Sequence, residues 1–144
     1  MGAGRGRWRL PRTVRRAVTR HAREAAPAEC CGLLVGRGRA IARAVPTRNR
    51  ATGLSRFEVD PHDHIAIRRA LRATPSLQIV GVYHSHPAGP AHPSAADVEG
   101  AHYPEWVHLI ASRTGRRWEV RAFRIRDGRA TPVATTERRA TLGR

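Results

Sequence analysis

The sequence has no lysine: all 27 basic residues are arginine, set against 11 acidic residues, for a formal net charge of +16. A charge of that size ordinarily points to nucleic acid, whose binders show clustered charge interleaved with aromatic side chains. Here aromatics make up only 5 % and the arginines are scattered, with no block of five or six. Arginine without lysine, beside abundant alanine, matches a GC-rich coding bias that adds arginine everywhere. Nucleic acid is therefore not the expected partner, although a basic surface would equally favour an acidic protein. Cysteine is scarce too, limited to the adjacent pair Cys30 and Cys31. Neighbouring Cα atoms lie ~3.8 Å apart, closer than the ~4.4–6.8 Å of an ordinary disulfide. Both are expected to be reduced thiols, acting as small buried hydrophobes in a reducing compartment. No apolar run approaches the ~18 residues of a membrane span. The opening "MGAGRGRWRLPRTVRR" is charged but lacks the apolar segment of a secretory signal. The expectation is a cytoplasmic protein with no membrane partner, and nothing in the pattern signals an oligomeric state.

A chain of 144 residues suits one domain with a core large enough to need no disulfide. Residues 1–9, rich in glycine and arginine, are expected to fray; 10–136 form the domain and 137–144 a loose tail. Helical spacing of Val14, Ala17, Val18, His21, Ala22 and Ala25 predicts a helix from Pro11 to Pro27. His21 lies on its apolar stripe and reads as a satisfied core histidine. "CCGLLVG" (30–36) reads as a buried strand and "RAIARAV" (39–45) as its hairpin partner. "RATGLSR" is a loop and "FEVD" (57–60) a short strand. "PHDHIAIRRALRA" (61–73) is a helix with Asp60 capping, Pro61 in the first turn, and His62 and His64 on the surface. "SLQIVGVYH" is a fully buried strand, Ser94–Ala101 a short helix, and "WVHLIAS", "RWEVRAFRIRD" and "ATPVAT" further strands with turns at Gly115 and Asp127–Gly128.

The chemistry gathers in "HSHPAGPAHPSAAD", His84 to Asp97. His84 and His86 are two apart at a strand end, so both side chains leave the same face with Cα atoms ~6.5–7 Å apart. Two imidazoles placed so can converge on one ion, and zinc takes histidine nitrogen and carboxylate oxygen in tetrahedral geometry. The turn-forming Pro87, Gly89, Pro90 and Pro93 permit the chain to fold back and bring Asp97 as third ligand. Ser94 with Asp97 three residues on is also a capping box; the two roles can coexist, because a helix starting at Ser94 turns Asp97 back towards the strand end. Three protein ligands leave a fourth position for water, the pattern of a catalytic site. Such a site needs a general base, and Glu29, just ahead of the apolar "CCGLLVG", is the candidate. Read locally, Glu29 is equally an exposed loop residue after Pro27.

These residues resemble the signature of the JAMM (MPN-plus) zinc metallopeptidase family. The match is His84-x-His86-Pro87, seven residues from Pro87 to Pro93, then Ser94 and Asp97, with Glu29 in the upstream "PAECCGLLVG". All five motif positions are present, His92 within the spacer is loop, and the similarity spans about residues 10–130. The order of segments is similar to the short prokaryotic members, with no long insertion of the kind seen in the larger members that cut ubiquitin chains. The resemblance implies an α/β (α+β) fold, a mixed sheet flanked by helices of the cytidine-deaminase-like kind. It implies zinc on His84, His86 and Asp97, Glu29 as the base, and Ser94 bonded to the water or the oxyanion. It also implies a substrate: the C-terminal Gly-Gly tail of a ubiquitin-like or sulfur-carrier protein. A binding module of the same fold, non-catalytic towards a ubiquitin-like partner, is the alternative, and a basic nucleic-acid-binding domain the third.

Overall fold

The computed structural model describes residues 6–138. Eight strands and three helices follow in the order β1 (Trp8–Arg9), α1 (Arg12–Ala25), β2 (Cys31–Arg37), β3 (Ala40–Thr47), α2 (Pro61–Leu71), β4 (Gln78–His86), α3 (Ala95–Glu99), β5 (Val107–Thr114), β6 (Arg117–Arg126), β7 (Arg129–Pro132) and β8 (Thr135–Thr136). The strands form one mixed sheet in the order β7-β6-β5-β4-β2-β3-β1-β8. The β2–β3, β2–β4, β5–β6 and β6–β7 pairs are antiparallel, whereas β4 and β5 are parallel. The sheet flanked by helices agrees with the expected fold class.

Alternation along the central strands separates two cores. Leu34 and Tyr83 face α1 and pack with Val14, Val18 and Ala22, all at most 2 % exposed. Leu33 and Val82 face the other way and pack with Ile79 and Trp106, under Ile67 and Leu71 of α2. Each fully buried aliphatic side chain of this kind, such as Leu33, Leu34 or Leu109, contributes roughly 1.5–3 kcal/mol. Gly32 is required beside Tyr83: a Cβ there would overlap the phenol ring. His21 is satisfied as expected, its Nδ1 2.8 Å from the Tyr83 hydroxyl.

The parallel β4–β5 pair dictates where the site lies. Parallel strands cannot be joined by a tight turn, so residues 87–106 must cross back, and they pass over the carboxyl end of β4. That end carries His84 and His86, and the crossover carries α3.

Several expectations need correction. Trp8 is 7 % exposed and Arg9 is paired in β1, so the segment expected to fray starts the fold; the indole and Leu10 anchor it in the α1-side core, a contact that local composition does not reveal. Residues 1–5 of that segment and 139–144 of the expected tail lie outside the described residues. "FEVD" is no strand; Val59 makes one isolated bridge with Asn49, because side-chain bonds from Asn49 take up the neighbouring backbone groups. The helix expected at 94–101 is α3, Ala95–Glu99, stopped by Gly100. "ATPVAT" divides into β7 and β8, which pair at opposite edges of the sheet. Among the described residues no helix is long and apolar enough to cross a membrane.

Candidate metal centre

His84 and His86 leave the same face of β4, as strand alternation requires, and meet at their tips. The two Nε2 atoms are 3.0 Å apart, and Asp97 Oδ2 lies 3.0 Å from the first and 3.1 Å from the second. Asp97 reaches this point through α3. Its backbone N–H donates to Ser94 Oγ (3.1 Å) and its Oδ2 accepts from the Ser94 N–H (2.8 Å), a full capping box. Ser94 and Asp97 thus form the expected capping box while Asp97 still reaches both histidines.

Protonation follows from the partners. Burial pushes the His84 pKa down, with Asp97 pulling against it. His86 also feels burial, but the Asp97 carboxylate and the Pro90 carbonyl outweigh it and raise its pKa. A carbonyl only accepts, so the 2.8 Å contact between His86 Nδ1 and the Pro90 oxygen places a proton on Nδ1 and leaves the lone pair of the neutral ring on Nε2. Burial would raise the Asp97 pKa, but the bonds from His84, His86 and the Ser94 N–H hold the carboxyl well below its usual range. Two imidazole nitrogens and a carboxylate oxygen thus point at one spot. A tetrahedral ion with bonds of ~2.0–2.1 Å to nitrogen and oxygen spaces its ligands ~3.3 Å apart. The observed triangle needs to open by only about 0.3 Å to match, so these residues fit a metal.

Glu29 stands just behind that triangle. It is 7 % exposed, which removes the exposed-loop reading. One of its carboxylate oxygens comes within 4.8 Å of nitrogens of both histidines, and Oε1 is buried with no hydrogen-bond partner. Glu29, His84 and His86 by themselves form a set that could hold a metal. Asp97 Oδ2 lies within hydrogen-bonding distance of both nitrogens, whereas Glu29 Oε1 has no partner. Burial raises the Glu29 pKa from 4.5 to about 7, with His86 lowering and Asp97 raising it further. A carboxyl poised near neutrality, with an unbonded oxygen beside a metal position, suits the taking and giving of a proton. Ser94 is exposed and its Oγ accepts from Asp97, so its own O–H remains free to donate.

Cys31 lies on the same side of β2 as Glu29, but Sγ contacts Thr47 Oγ1 (3.4 Å) and the Arg48 carbonyl (3.6 Å). Burial pushes both thiols up to about 11, and both cysteines are free.

Three features of the site were absent from the motif reading. Phe57 stacks on the His84 ring at 4.1 Å and 16°. His108 is buried near His84 and Asp97, and burial pushes its pKa down to about 4. A cavity of about 500 Å³ opens next to Asp97, lined among others by Phe57, Val59, Val82, Tyr103 and Trp106. His64 also lines it and accepts from Arg68 Nε at 2.9 Å, so it is not the plain surface residue expected. Phe57, between Glu29 and His84, and Tyr103 and Trp106, after Asp97, were the one available signal, and their role as walls depends on the crossover.

The description "prokaryotic homologs of the JAB domain" matches residues 11–126. A desampylase of Haloferax volcanii is 39 % identical over 114 residues, covering 74 % of this chain and 81 % of that protein. A CysO-cysteine peptidase of Mycobacterium bovis is 33 % identical over 126 residues, covering 84 % of this chain and 86 % of that protein. A solved protein of Desulfitobacterium hafniense superposes with a TM-score of 0.80 at 30 % identity, over 88 % of this chain and 90 % of that one. With the five motif positions gathered at one strand end and this likeness along nearly its whole length, the chain belongs to the prokaryotic JAB-domain family of JAMM metallopeptidases.

Proposed function

We propose that the chain is a zinc-dependent peptidase or isopeptidase that hydrolyses the bond after the C-terminal Gly-Gly of a ubiquitin-like or sulfur-carrier protein. The observation that carries this reading is the convergence of His84 Nε2, His86 Nε2 and Asp97 Oδ2 within 3.1 Å of one another, with the unpartnered Glu29 carboxyl alongside. The names of the two relatives, a desampylase and a CysO-cysteine peptidase, support a small protein conjugate as substrate.

His84, His86 and Asp97 would hold the zinc. When bound there, zinc supplies an acidified water and a Lewis acid for the scissile carbonyl. Glu29 would take the proton of the attacking water as the C–O bond forms, and then give it to the leaving amine as the C–N bond breaks. Ser94 donates its O–H to the developing oxyanion from the exposed rim. The aromatic-walled groove beside Asp97 would receive the extended tail.

The test uses the metal-loaded full chain and a carrier protein bearing a peptide after its Gly-Gly, followed by mass spectrometry, with an Ala-Ala-tailed conjugate as control. About one zinc per chain and cleavage of the Gly-Gly conjugate alone are expected. Stoichiometric zinc with neither conjugate cut would overturn the reading in favour of a binding module.

A further inference from the structure

We propose that Asn49 is a positioning residue that locks the general base Glu29 and the loop over the metal ligands into one unit. This rests on the reading of Glu29 as the base. The β2–β3 ladder ends at the pair Cys31–Thr47, and the same register carried two residues further sets Glu29 opposite Asn49. The backbone ladder does not continue there. On the β4 side the chain is still held: the Cys30 N–H donates to Ser85 Oγ (2.8 Å) and the Ser85 N–H to the Cys30 carbonyl (3.2 Å). On the β3 side the Asn49 carboxamide takes the place of the missing strand, Nδ2 donating to the Glu29 carbonyl at 3.1 Å.

The same amide ties down the loop. Nδ2 also donates to the Arg56 carbonyl at 2.9 Å, while Oδ1 accepts from the N–H groups of Ala51 (3.0 Å) and Glu58 (2.9 Å). Two donor and two acceptor bonds use the side chain in full. Between Arg56 and Glu58 sits Phe57, stacked on His84. That stack has a purpose. A metal-bound histidine is normally oriented by a hydrogen bond to its second nitrogen. His86 has one from Nδ1 to Pro90, whereas His84 Nδ1 is buried with no partner. The phenyl face orients the His84 ring instead; the Asn49 amide holds the residues on either side of Phe57, beside the backbone bond from the Arg50 N–H to the Glu58 carbonyl (2.8 Å). One side chain therefore sets the backbone of the base and, through Phe57, the plane of a metal ligand.

The plainer role for an asparagine here is an Asx turn, which needs only Oδ1 and the Ala51 N–H. Asn49→Asp separates the two. It keeps the Oδ1 bonds to Ala51 and Glu58 and loses both Nδ2 bonds, those to Glu29 and Arg56. The experiment compares wild type, Asn49→Asp and Phe57→Ala as metal-loaded full chains. The proton shifts of the His84 ring report the stack, and kcat and KM are measured with a Gly-Gly-tailed conjugate. With Asn49→Asp the His84 ring resonances are expected to move towards those of Phe57→Ala. kcat is expected to fall about 10- to 100-fold, the scale of a misplaced catalytic group, with KM changed by no more than about twofold. Wild-type His84 shifts together with wild-type kcat would overturn the proposal and leave an Asx turn. If Asn49→Asp does not fold, Asn49→Ser, which keeps a turn-forming oxygen without the charge, is judged by the same two readouts. Should wild type cut no conjugate, the peptidase reading fails, and the His84 shifts still decide whether Asn49 holds the loop.

Discussion

Replacing Glu29 by glutamine should make the metal-stripped protein more stable and the loaded protein inactive. The carboxyl is 7 % exposed and Oε1 has no partner, so ionising it inside the fold is opposed by lost hydration. Its pKa is 4.5 when exposed and about 7 when folded. Below pH 4.5 the group is protonated in both states and contributes no difference. Between 4.5 and 7 the unfolded chain loses its proton first, so the folded state binds more protons and stability falls as pH rises. Above 7 the penalty is complete, and at about 1.4 kcal/mol per tenfold it amounts to about 3 kcal/mol. Glutamine has no such dependence. Urea unfolding of chelator-treated wild type and Glu29→Gln should therefore give curves that nearly coincide around pH 4.5 and separate by about 2–3 kcal/mol around pH 8. Glu29 and His86 act on each other's protonation, so the separation reports the two groups together. In single-turnover cleavage of a Gly-Gly-tailed conjugate the same variant should be at least ~100-fold slower with zinc retained, the usual loss on removing a positioned base. Parallel stability curves would mean that the carboxylate is hydrated or paired and the burial argument is wrong. Near-wild-type cleavage would mean that another group moves the proton.

His84→Ala removes one of three converging ligands and should lower zinc content sharply, read by metal analysis of protein purified without a histidine tag; unchanged stoichiometry would sink the ligand assignment. Cys31→Ser should keep zinc and most activity, because Sγ points to Thr47 and Arg48 and its thiol stays protonated; inactivation of a folded variant would give Cys31 a chemical role. Gly32→Ala drives a methyl into the buried Tyr83 ring and should cost about 1–3 kcal/mol, the usual range for overpacking, seen as a lower urea midpoint with unchanged slope. An unshifted midpoint would show that Tyr83 can move aside.

His84, His86, Ser94 and Asp97 were legible in the sequence because their spacing rests on local geometry. A two-residue step on a strand puts His84 and His86 on one face whatever surrounds them, and Ser94 with Asp97 caps a helix by contacts three residues apart. The buried strands and α1 were legible for the same reason, since their periods of 2 and 3.6 residues are written in the order of apolar side chains. Proximity across the fold was not. That Glu29 is buried and lies beside the histidines follows from the antiparallel pairing of β2 with β4, which sets Cys31 against His84; on local grounds it was as much a loop residue. The anchoring of Trp8, the rejection of a strand at Phe57 and the wall that Phe57 forms over His84 all depend on partners far away in the chain. So does the fourfold bonding of Asn49, which joins segments around residues 29, 51 and 56–58. A sequence states which groups are available and how neighbours are spaced. Only the tertiary structure brings Glu29, His84, His86, Asp97 and the Phe57 ring to one point, because those contacts are fixed by sheet register and by the crossover that parallel strands require.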